Sequence, residues 1–166
     1  MSARRRFGSF DEPALVALAE QLAATVAAGG VMHLHGDLGA GKTTFARALL
    51  RKLGVGERVK SPTYSLIESY ALGDLAIHHL DLYRIADPGE LEWLGLSDLT
   101  DGRHLIIVEW PERAGDALPR SDLVVHLEHA GAGREISMES LSPQGASWVR
   151  ALRDSDGHAG IDRDSV

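Results

Sequence analysis

The spacing of apolar residues predicts an amphipathic helix near the start of the chain, over residues 12–28. Its larger apolar side chains recur close to helical spacing: Leu15, Leu18, Leu22 and Val26. Ser9 has capping-box spacing to a glutamate three residues later, and Pro13 suits a first helical turn. Gly29 and Gly30 follow this segment and can end the helix.

A short strand, a glycine-rich loop and a second helix follow in direct succession. Residues 31–35 are mostly apolar and bounded by glycines, as expected of a strand. After the loop, four apolar side chains lie on one helical face: Phe45, Ala48, Leu49 and Leu53. Gly54 stands where the residue that ends such a helix is expected.

Later segments predict two hairpins, a buried strand and two more helices. The hairpins cover residues 64–83 and 122–140, each around a turn that contains glycine. Residues 105–108 are Leu-Ile-Ile-Val, a run typical of a strand buried on both faces. The helices begin at Asp87-Pro88 and at Ser142-Pro143, where a capping side chain precedes proline.

Composition places the chain among ordinary globular domains. Its 166 residues are 44% hydrophobic and 25% charged, so we expect one packed domain over residues 1–153 and a disordered polar tail over 154–166. The chain has no cysteine, which excludes a disulfide framework or a thiolate metal site. No apolar run reaches the ~18 residues of a membrane span, so we expect a cytoplasmic protein that does not enter the membrane.

The net negative charge of the chain bears on which kind of molecule it binds. The formal net charge is −7 at pH 7, which weighs against a protein that mainly binds nucleic acid through its own surface. Only three of the 17 basic residues are lysines: Lys42, Lys52 and Lys60. One of these few lysines lies in the glycine-rich loop.

Residues 36–43 (GDLGAGKT) match G-x-x-x-x-G-K-[ST], the phosphate-binding P-loop. Its glycines let successive backbone N–H groups curl around phosphates, and the following helix N-terminus faces their negative charge. The lysine contacts the outer phosphates, and the Thr43 hydroxyl is offered to Mg²⁺. We therefore assign binding of the nucleotide phosphates to the following residues, which the resemblance described below makes ATP-binding residues: Gly36, Asp37, Leu38, Gly39, Ala40, Gly41, Lys42, Thr43 and Thr44.

Two acidic residues at the ends of apolar strands can complete a metal site. Glu109 follows the run at 105–108, as in a Walker B element, where a glutamate holds the Mg²⁺ shell or orients water. Asp81 ends the other apolar run, in the segment HLDLYR. Thr63 occupies the position of a switch threonine that senses the γ-phosphate and the metal.

Other polar and aromatic residues receive structural interpretations. The alternation of a strand places His33 and His35 on one face, whereas His78 and His79 point to opposite faces. No zinc-binding motif accompanies them, so we do not expect them to bind metal. The remaining assignments are core or interface aromatics and a solvated basic run: Trp93, Trp110, Trp148 and Arg4 to Arg6.

Four short motifs, in this order and spacing, carry a family resemblance: GDLGAGKTT, SPTY, HLDLYR and VEWPE. Together they resemble the TsaE family, also called YjeE, small P-loop ATPases of bacterial tRNA threonylcarbamoyladenosine synthesis. The resemblance covers roughly residues 10 to 153. It implies an α/β P-loop NTPase fold, in which a central parallel sheet is extended by antiparallel strands and carries helices on both faces.

The resemblance also implies an activity and partners. The family binds ATP and Mg²⁺, has weak ATPase activity alone, and works with the proteins TsaB and TsaD. That pair transfers threonylcarbamoyl to the adenosine beside the anticodon, so tRNA is met mainly through the partners. Position by position, the family's catalytic roles fall on Lys42, Asp81 and Glu109, and its metal roles on Thr43, Asp81 and Glu109.

Three further positions follow from the same resemblance. Thr63 takes the switch role, and Trp110 corresponds to a functionally sensitive tryptophan at a partner-facing or nucleotide-facing edge. Arg134, in GREI, corresponds to an arginine near the adenine pocket. The chain departs from some relatives at Leu15, where they carry a threonine near the base.

Three alternatives remain beside an ATPase of tRNA modification. A small-metabolite or nucleotide kinase also begins with strand, P-loop and helix, but usually carries an arginine-rich lid. The two longest loops here carry only Arg58, Arg113 and Arg120. A GTPase is disfavoured because no N-K-x-D motif is present. A protein that binds nucleotide without turnover is the third alternative, and the geometry of Glu109 distinguishes it.

Overall fold

One mixed sheet organises the computed structural model, which describes residues 3–60, 62, 65–96 and 103–152. Its strands in chain order are β1 (Ala3–Phe10), β2 (Gly30–His35), β3 (Ile67–Leu72), β4 (Leu75–Asp81), β5 (Arg103–Glu109), β6 (Leu123–Ala130) and β7 (Gly133–Ser140). In space they follow the order β1-β7-β6-β2-β5-β4-β3. The four central strands β6, β2, β5 and β4 are parallel, and β3, β7 and β1 extend them antiparallel.

Helices cover both faces of this sheet. The three α-helices, α1 (Glu12–Ala23), α2 (Lys42–Leu50) and α3 (Pro143–Arg150), pack into one hydrophobic cluster with alternate residues of the strands. On the other face, the 3₁₀ helices Pro88–Leu94 and Pro111–Ala114 contribute to a second, smaller cluster. These features confirm the predicted fold class.

The buried strand β5 shows how the sequence produces the two clusters. Leu105 and Ile107 face the α-helices, whereas Ile106 and Val108 belong to the smaller cluster on the opposite face. All four side chains are buried, because a central parallel strand is covered on both sides. The strand then ends at Glu109, beside the residue that ends β4.

The first helix starts and stops at different residues than the apolar pattern suggests. Its N-cap is Asp11, whose carboxylate accepts the Ala14 N–H, rather than Ser9. The helix ends at Ala23, five residues before the expected end at residue 28. Both the N–H and the hydroxyl of Thr25 donate to the Leu22 carbonyl, and these bonds close the last turn.

The basic run at residues 4–6 is largely exposed, as predicted, but it lies in a strand that the sequence pattern does not predict. It lies in the edge strand β1, which pairs antiparallel with β7. The Arg4 guanidinium donates to Ser137, and Arg6 pairs with Glu135 on the same face of the sheet. The run is therefore part of the sheet, although its side chains remain largely exposed.

The other predicted elements occur. The hairpins are β3–β4 and β6–β7, with slightly shifted ends. The predicted helix after Asp87 is a 3₁₀ helix, Pro88–Leu94, and Asp87 is its N-cap as expected. Beyond α2 the chain continues as one π-helical turn, Arg51–Val55. Within the described residues, no helix is long and apolar enough to cross a membrane. The predicted tail at 154–166 lies outside the described residues.

Candidate functional site

The glycine-rich loop lies between the carboxyl end of β2 and the first turn of α2. Gly41 has φ 110°, a conformation that side-chain-bearing residues rarely adopt, and a Cβ there would lie 2.9 Å from Leu15 Cδ2. A Cβ on Gly36 would lie 2.5 Å from the Leu127 carbonyl oxygen. The loop is thus packed closely against α1 and β6, and only glycine fits at these two positions.

Lys42 begins α2, and its ammonium group lies inside the curve of the loop. Nζ donates to the carbonyl oxygens of Gly36 and Asp37, the latter at 2.9 Å. The indole of Trp110 covers the same group, with 4.1 Å between Nζ and the ring centroid. Burial lowers the pKa of Lys42, and nearby carboxylates, Glu109 foremost, oppose that shift.

Behind the loop, three side chains form a hydrogen-bonded row. The Thr43 hydroxyl donates to Glu109 Oε1 over 2.7 Å, and His79 Nε2 lies 2.7 Å from Glu109 Oε2. Both Glu109 and His79 are buried, with exposures of 1% and 0%. Each carboxylate oxygen therefore has its own partner, one on α2 and one on β4.

Asp81 lies beside Glu109 because β4 and β5 pair parallel with these two residues in register. Asp81 Oδ1 accepts the Tyr83 N–H at 3.0 Å. Partial burial raises the pKa of Asp81, the Tyr83 hydrogen bond acts in the opposite direction, and the neighbouring Glu109 raises it further. Two carboxylates thus meet at the same edge of the sheet as the loop.

Trp110 directly follows Glu109 and has an unusual backbone. Its φ of 58° and ψ of 48° place a bulky residue in the left-handed region, where strain of about 1–3 kcal/mol is expected. The ring contacts Tyr83, with 4.9 Å between centroids, and the Arg113 guanidinium lies over both rings. This geometry places the indole against the Lys42 ammonium group.

Arg134 braces the loop from β7. Its Nε donates to the Ala40 carbonyl at 2.9 Å, and a terminal nitrogen donates to the Gly39 carbonyl at 3.2 Å. These bonds hold the backbone of the loop itself. The proposed contact of Arg134 with an adenine base stays a prediction.

Comparison with known proteins identifies the family. The sequence model of "Threonylcarbamoyl adenosine biosynthesis protein TsaE" matches residues 10–136, more than half of the chain. The chain belongs to the TsaE family. The predicted family resemblance is confirmed.

Two TsaE relatives and one solved structure illustrate the similarity. The Haemophilus influenzae protein named tRNA threonylcarbamoyladenosine biosynthesis protein TsaE is 38% identical over 122 residues, covering 74% of this chain and 77% of the relative. The Bacillus subtilis protein of the same name is 39% identical over 126 residues, covering 75% and 78%. The crystal structure of Bacillus subtilis YdiB matches with TM-score 0.73 and 28% identity, over 90% of this chain and 94% of that chain.

In this TsaE chain, the fold brings most of the sequence-predicted site residues together. Lys42, Thr43, Asp81, Glu109 and Trp110 converge at the carboxyl ends of β2, β4 and β5. Thr44 is half-buried in the first turn of α2, while residues 37–39 are exposed. The switch residue Thr63 lies outside the described residues. The chemical roles of these residues stay predictions.

One member of the TsaE site, His79, was not assigned to it from sequence. In sequence, His79 is the first residue of the family motif HLDLYR and is weighed as a metal ligand beside His78, with no role at this site; in the fold it contacts Glu109. The available signal was strand alternation, since His79 and Asp81 are two residues apart and share a face of β4. The fold adds that this face lies against Glu109.

The oxygen donors of the site fit Mg²⁺. The Thr43 hydroxyl and the carboxylates of Asp81 and Glu109 are the hard ligands that this ion prefers. In the described part of the chain, no three His, Asp or Glu side chains form a cluster suited to hold a metal ion alone. Mg²⁺ needs no such cluster, because it is usually bound by one or two carboxylates, substrate phosphates and water.

Proposed function

We propose that this chain binds ATP at the loop 36–43 and hydrolyses it with Mg²⁺ during threonylcarbamoyl modification of tRNA. The observation that carries the proposal is the bond of 2.7 Å between the Thr43 hydroxyl and Glu109, directly behind the loop. A P-loop threonine and a strand-end glutamate in contact are the parts that phosphoryl transfer to water requires.

Nucleotide binding would use the positive charge of the Lys42 ammonium group, which already lies at the loop. The Lys42 ammonium now rests on two backbone carbonyls, which are weaker partners than phosphate oxygens. On binding, we expect Lys42 to exchange these carbonyls for the outer phosphates of ATP. The N-terminal turn of α2 adds its backbone N–H groups and helix dipole to the same anion.

Hydrolysis would use the two strand-end carboxylates. The Thr43 hydroxyl and Asp81 would hold Mg²⁺, with Glu109 beside them. When bound, Mg²⁺ supplies charge neutralisation at the phosphate oxygens. Once the Thr43 hydroxyl turns away from Glu109, the freed Oε1 can accept a hydrogen bond from a water molecule and orient that water.

The names of the two relatives support the pathway. Within it, we propose that the chain acts on the TsaB–TsaD pair, and that these partners make most of the contact with tRNA. A net charge of −7 is compatible with this division, because ATP and proteins are then its direct ligands. The corresponding compartment is the cytoplasm.

The test is phosphate release by the purified full-length chain with Mg²⁺ and ATP, with and without the TsaB–TsaD pair. We expect slow release alone and faster release with the pair. Lys42→Ala should weaken ATP binding in calorimetry at least about tenfold, because a charge-assisted contact is lost. Glu109→Gln should keep ATP affinity and lower the rate by about 100-fold or more.

Two results would contradict this proposal. Unchanged ATP affinity in Lys42→Ala would remove the phosphate role of the loop lysine. Release that is stimulated by a small-molecule acceptor, and not by the protein pair, would favour a kinase instead. The pathway is tested separately, since depletion of the protein should lower threonylcarbamoyladenosine in bulk tRNA when measured by mass spectrometry.

A further inference from the structure

The contact between His79 and Glu109 is among the most deeply buried polar contacts of the described residues. The 2.7 Å bond joins two side chains with 0% and 1% exposure. An ionised carboxylate can only accept hydrogen bonds, so His79 contributes the Nε2 proton. Burying an imidazole and a carboxylate is unfavourable unless they are paired, and here they satisfy each other.

The ring of His79 is oriented towards Glu109 alone. Its other nitrogen, Nδ1, is buried and has no hydrogen-bond partner among the described residues. Glu109 is the only hydrogen-bond partner of the ring among the described residues, so the orientation of the ring depends on this one contact. His33 and His126 also leave one buried nitrogen without a hydrogen-bond partner, so His79 is distinguished by the carboxylate it holds and not by its unpartnered nitrogen. The neighbouring His78, on the opposite face of β4, has no hydrogen bond to Glu109, and its two nitrogens contact Ser69 and His104 at 2.9 and 3.2 Å.

We infer that His79 is a positioning residue that holds the Glu109 carboxylate in its working orientation during ATP hydrolysis, an inference that rests on the proposed function. Thr43 and His79 now hold one oxygen of the carboxylate each. When the Thr43 hydroxyl turns away to bind Mg²⁺, the hydrogen bond from His79 is the only one of these two that still holds the Glu109 carboxylate. It keeps Oε2 fixed, so that Oε1 stays aimed at the water.

The physical reason is the freedom of the glutamate side chain. Rotation about its terminal torsion is broad and roughly two-fold, so a carboxylate that has lost both partners samples many orientations. A misplacement of about 1 Å in a reacting group can lower a rate about 100-fold. His79 is fully buried and contacts the site through Glu109, so we expect it to act on the rate of the chemical step and not on ATP affinity.

Two polar substitutions of His79 test whether the position of its N–H group matters or only its polarity. In His79→Gln, the amide N–H can reach the place of Nε2, whereas in His79→Asn the amide lies near Nδ1, out of reach of Glu109. We expect His79→Asn to lower kcat about tenfold or more and His79→Gln to retain it within about threefold. ATP affinity measured by calorimetry should be unchanged in both variants.

A double-mutant cycle and a matched control complete the design. In a Glu109→Gln background, His79→Asn should cause no further loss of rate, because both changes act through the same group. His78→Leu, next to it on the opposite face, should leave kcat unchanged. Thermal melting checks that each variant is folded, and the His79→Gln variant keeps the test informative if His79→Asn is unfolded.

The outcomes are distinguishable from failure of the proposed function. A wild-type rate in His79→Asn, no rescue by His79→Gln, or an additive loss in the double variant would overturn the inference. If the wild-type chain hydrolyses no ATP under any condition, the proposed function fails. Crystal structures then still decide the point, since positioning requires Glu109 to leave its orientation in His79→Asn and keep it in His79→Gln.

Discussion

Carboxylates lie at both ends of the parallel strands, and their surroundings differ. Asp122, just before β6, is at the amino end, where its Oδ2 accepts the Val31 N–H at 2.8 Å and its Oδ1 accepts the Ser142 hydroxyl at 2.6 Å. Asp81, at the carboxyl end of β4, accepts the Tyr83 N–H, and burial raises its pKa. The fold gives both carboxylate oxygens of Asp122 a hydrogen-bond partner. At Asp81, partial burial disfavours the ionised carboxylate, which a nearby cation would stabilise.

This difference separates a structural end of the sheet from the end that carries the proposed ATP site. At the amino end, the Asp122 backbone also pairs with Val31 and Leu141, so the residue joins β2, β6 and the start of α3. At the carboxyl end, the lysine rests on loop carbonyls and Trp110 has a strained backbone. Substitutions should therefore reduce stability at the first end and activity at the second.

The largest expected effect on stability is at Gly145, where α3 meets the amino end. A Cβ at this position would overlap the Asp122 carbonyl oxygen, and that oxygen is backbone that cannot turn aside. Gly145→Ala should lower the free energy of unfolding by about 3 kcal/mol or more, measured by urea denaturation. Ser147→Ala, exposed on the same helix, is the control and should change it by less than about 0.5 kcal/mol. Equal stability of the two variants would refute the close approach of α3.

Asp122→Ala tests the structural carboxylate directly. It removes the acceptor of the Val31 N–H and the partner of the Ser142 hydroxyl, which caps α3. We expect the free energy of unfolding to fall by about 2 kcal/mol, because partly buried donors are left without partners. ATP binding should be unaffected in calorimetry, since the loop lies at the other end of the strands. A variant that loses ATP affinity while keeping its stability would contradict the division between the two ends.

The same division explains how far the sequence alone predicts this molecule. The P-loop, β2 and β5 are local features, and their motif and apolar runs are visible in a short window. Glu109 and Asp81 could be placed at one edge because the carboxyl ends of parallel strands meet there. Strand β1 was missed, because the polar run at residues 4–6 pairs with β7, more than 130 residues away.

His79 was missed for a related reason. Its contact with Glu109 depends on the register that places β4 beside β5, and that register is set by packing between residues about thirty positions apart. Alternation along β4 could show which residues share a face with Asp81. It could not show that Glu109 would be the group facing His79.

The smallest effect on the free energy of unfolding is expected for Asp81→Asn, and it is a gain in stability, whereas the variants at Gly145 and Asp122 lose stability. The pKa of Asp81 is higher in the folded chain than in the unfolded one, so the folded state binds its proton more readily. Ionised Asp81 therefore destabilises the free protein above the folded pKa, and this penalty disappears as the pH falls below the unfolded pKa near 4. Asp81→Asn should raise the free energy of unfolding at pH 7.5 by up to about 1 kcal/mol, since solvent partly screens the group.

The pH dependence of this gain distinguishes burial from a general effect of removing charge. Urea denaturation at pH 7.5 and near pH 3.5 should show the gain in Asp81→Asn at the higher pH and none at the lower. Asp116→Asn, at an exposed position, removes the same charge and should change stability by less than about 0.5 kcal/mol at either pH. A less stable Asp81→Asn at pH 7.5 would mean that Asp81, like Asp122, is a structural carboxylate. If Asp81→Asn is more stable but no longer hydrolyses ATP, the carboxylate at the carboxyl end of β4 lowers the stability of the free protein and is needed for activity, as expected of a group that binds Mg²⁺.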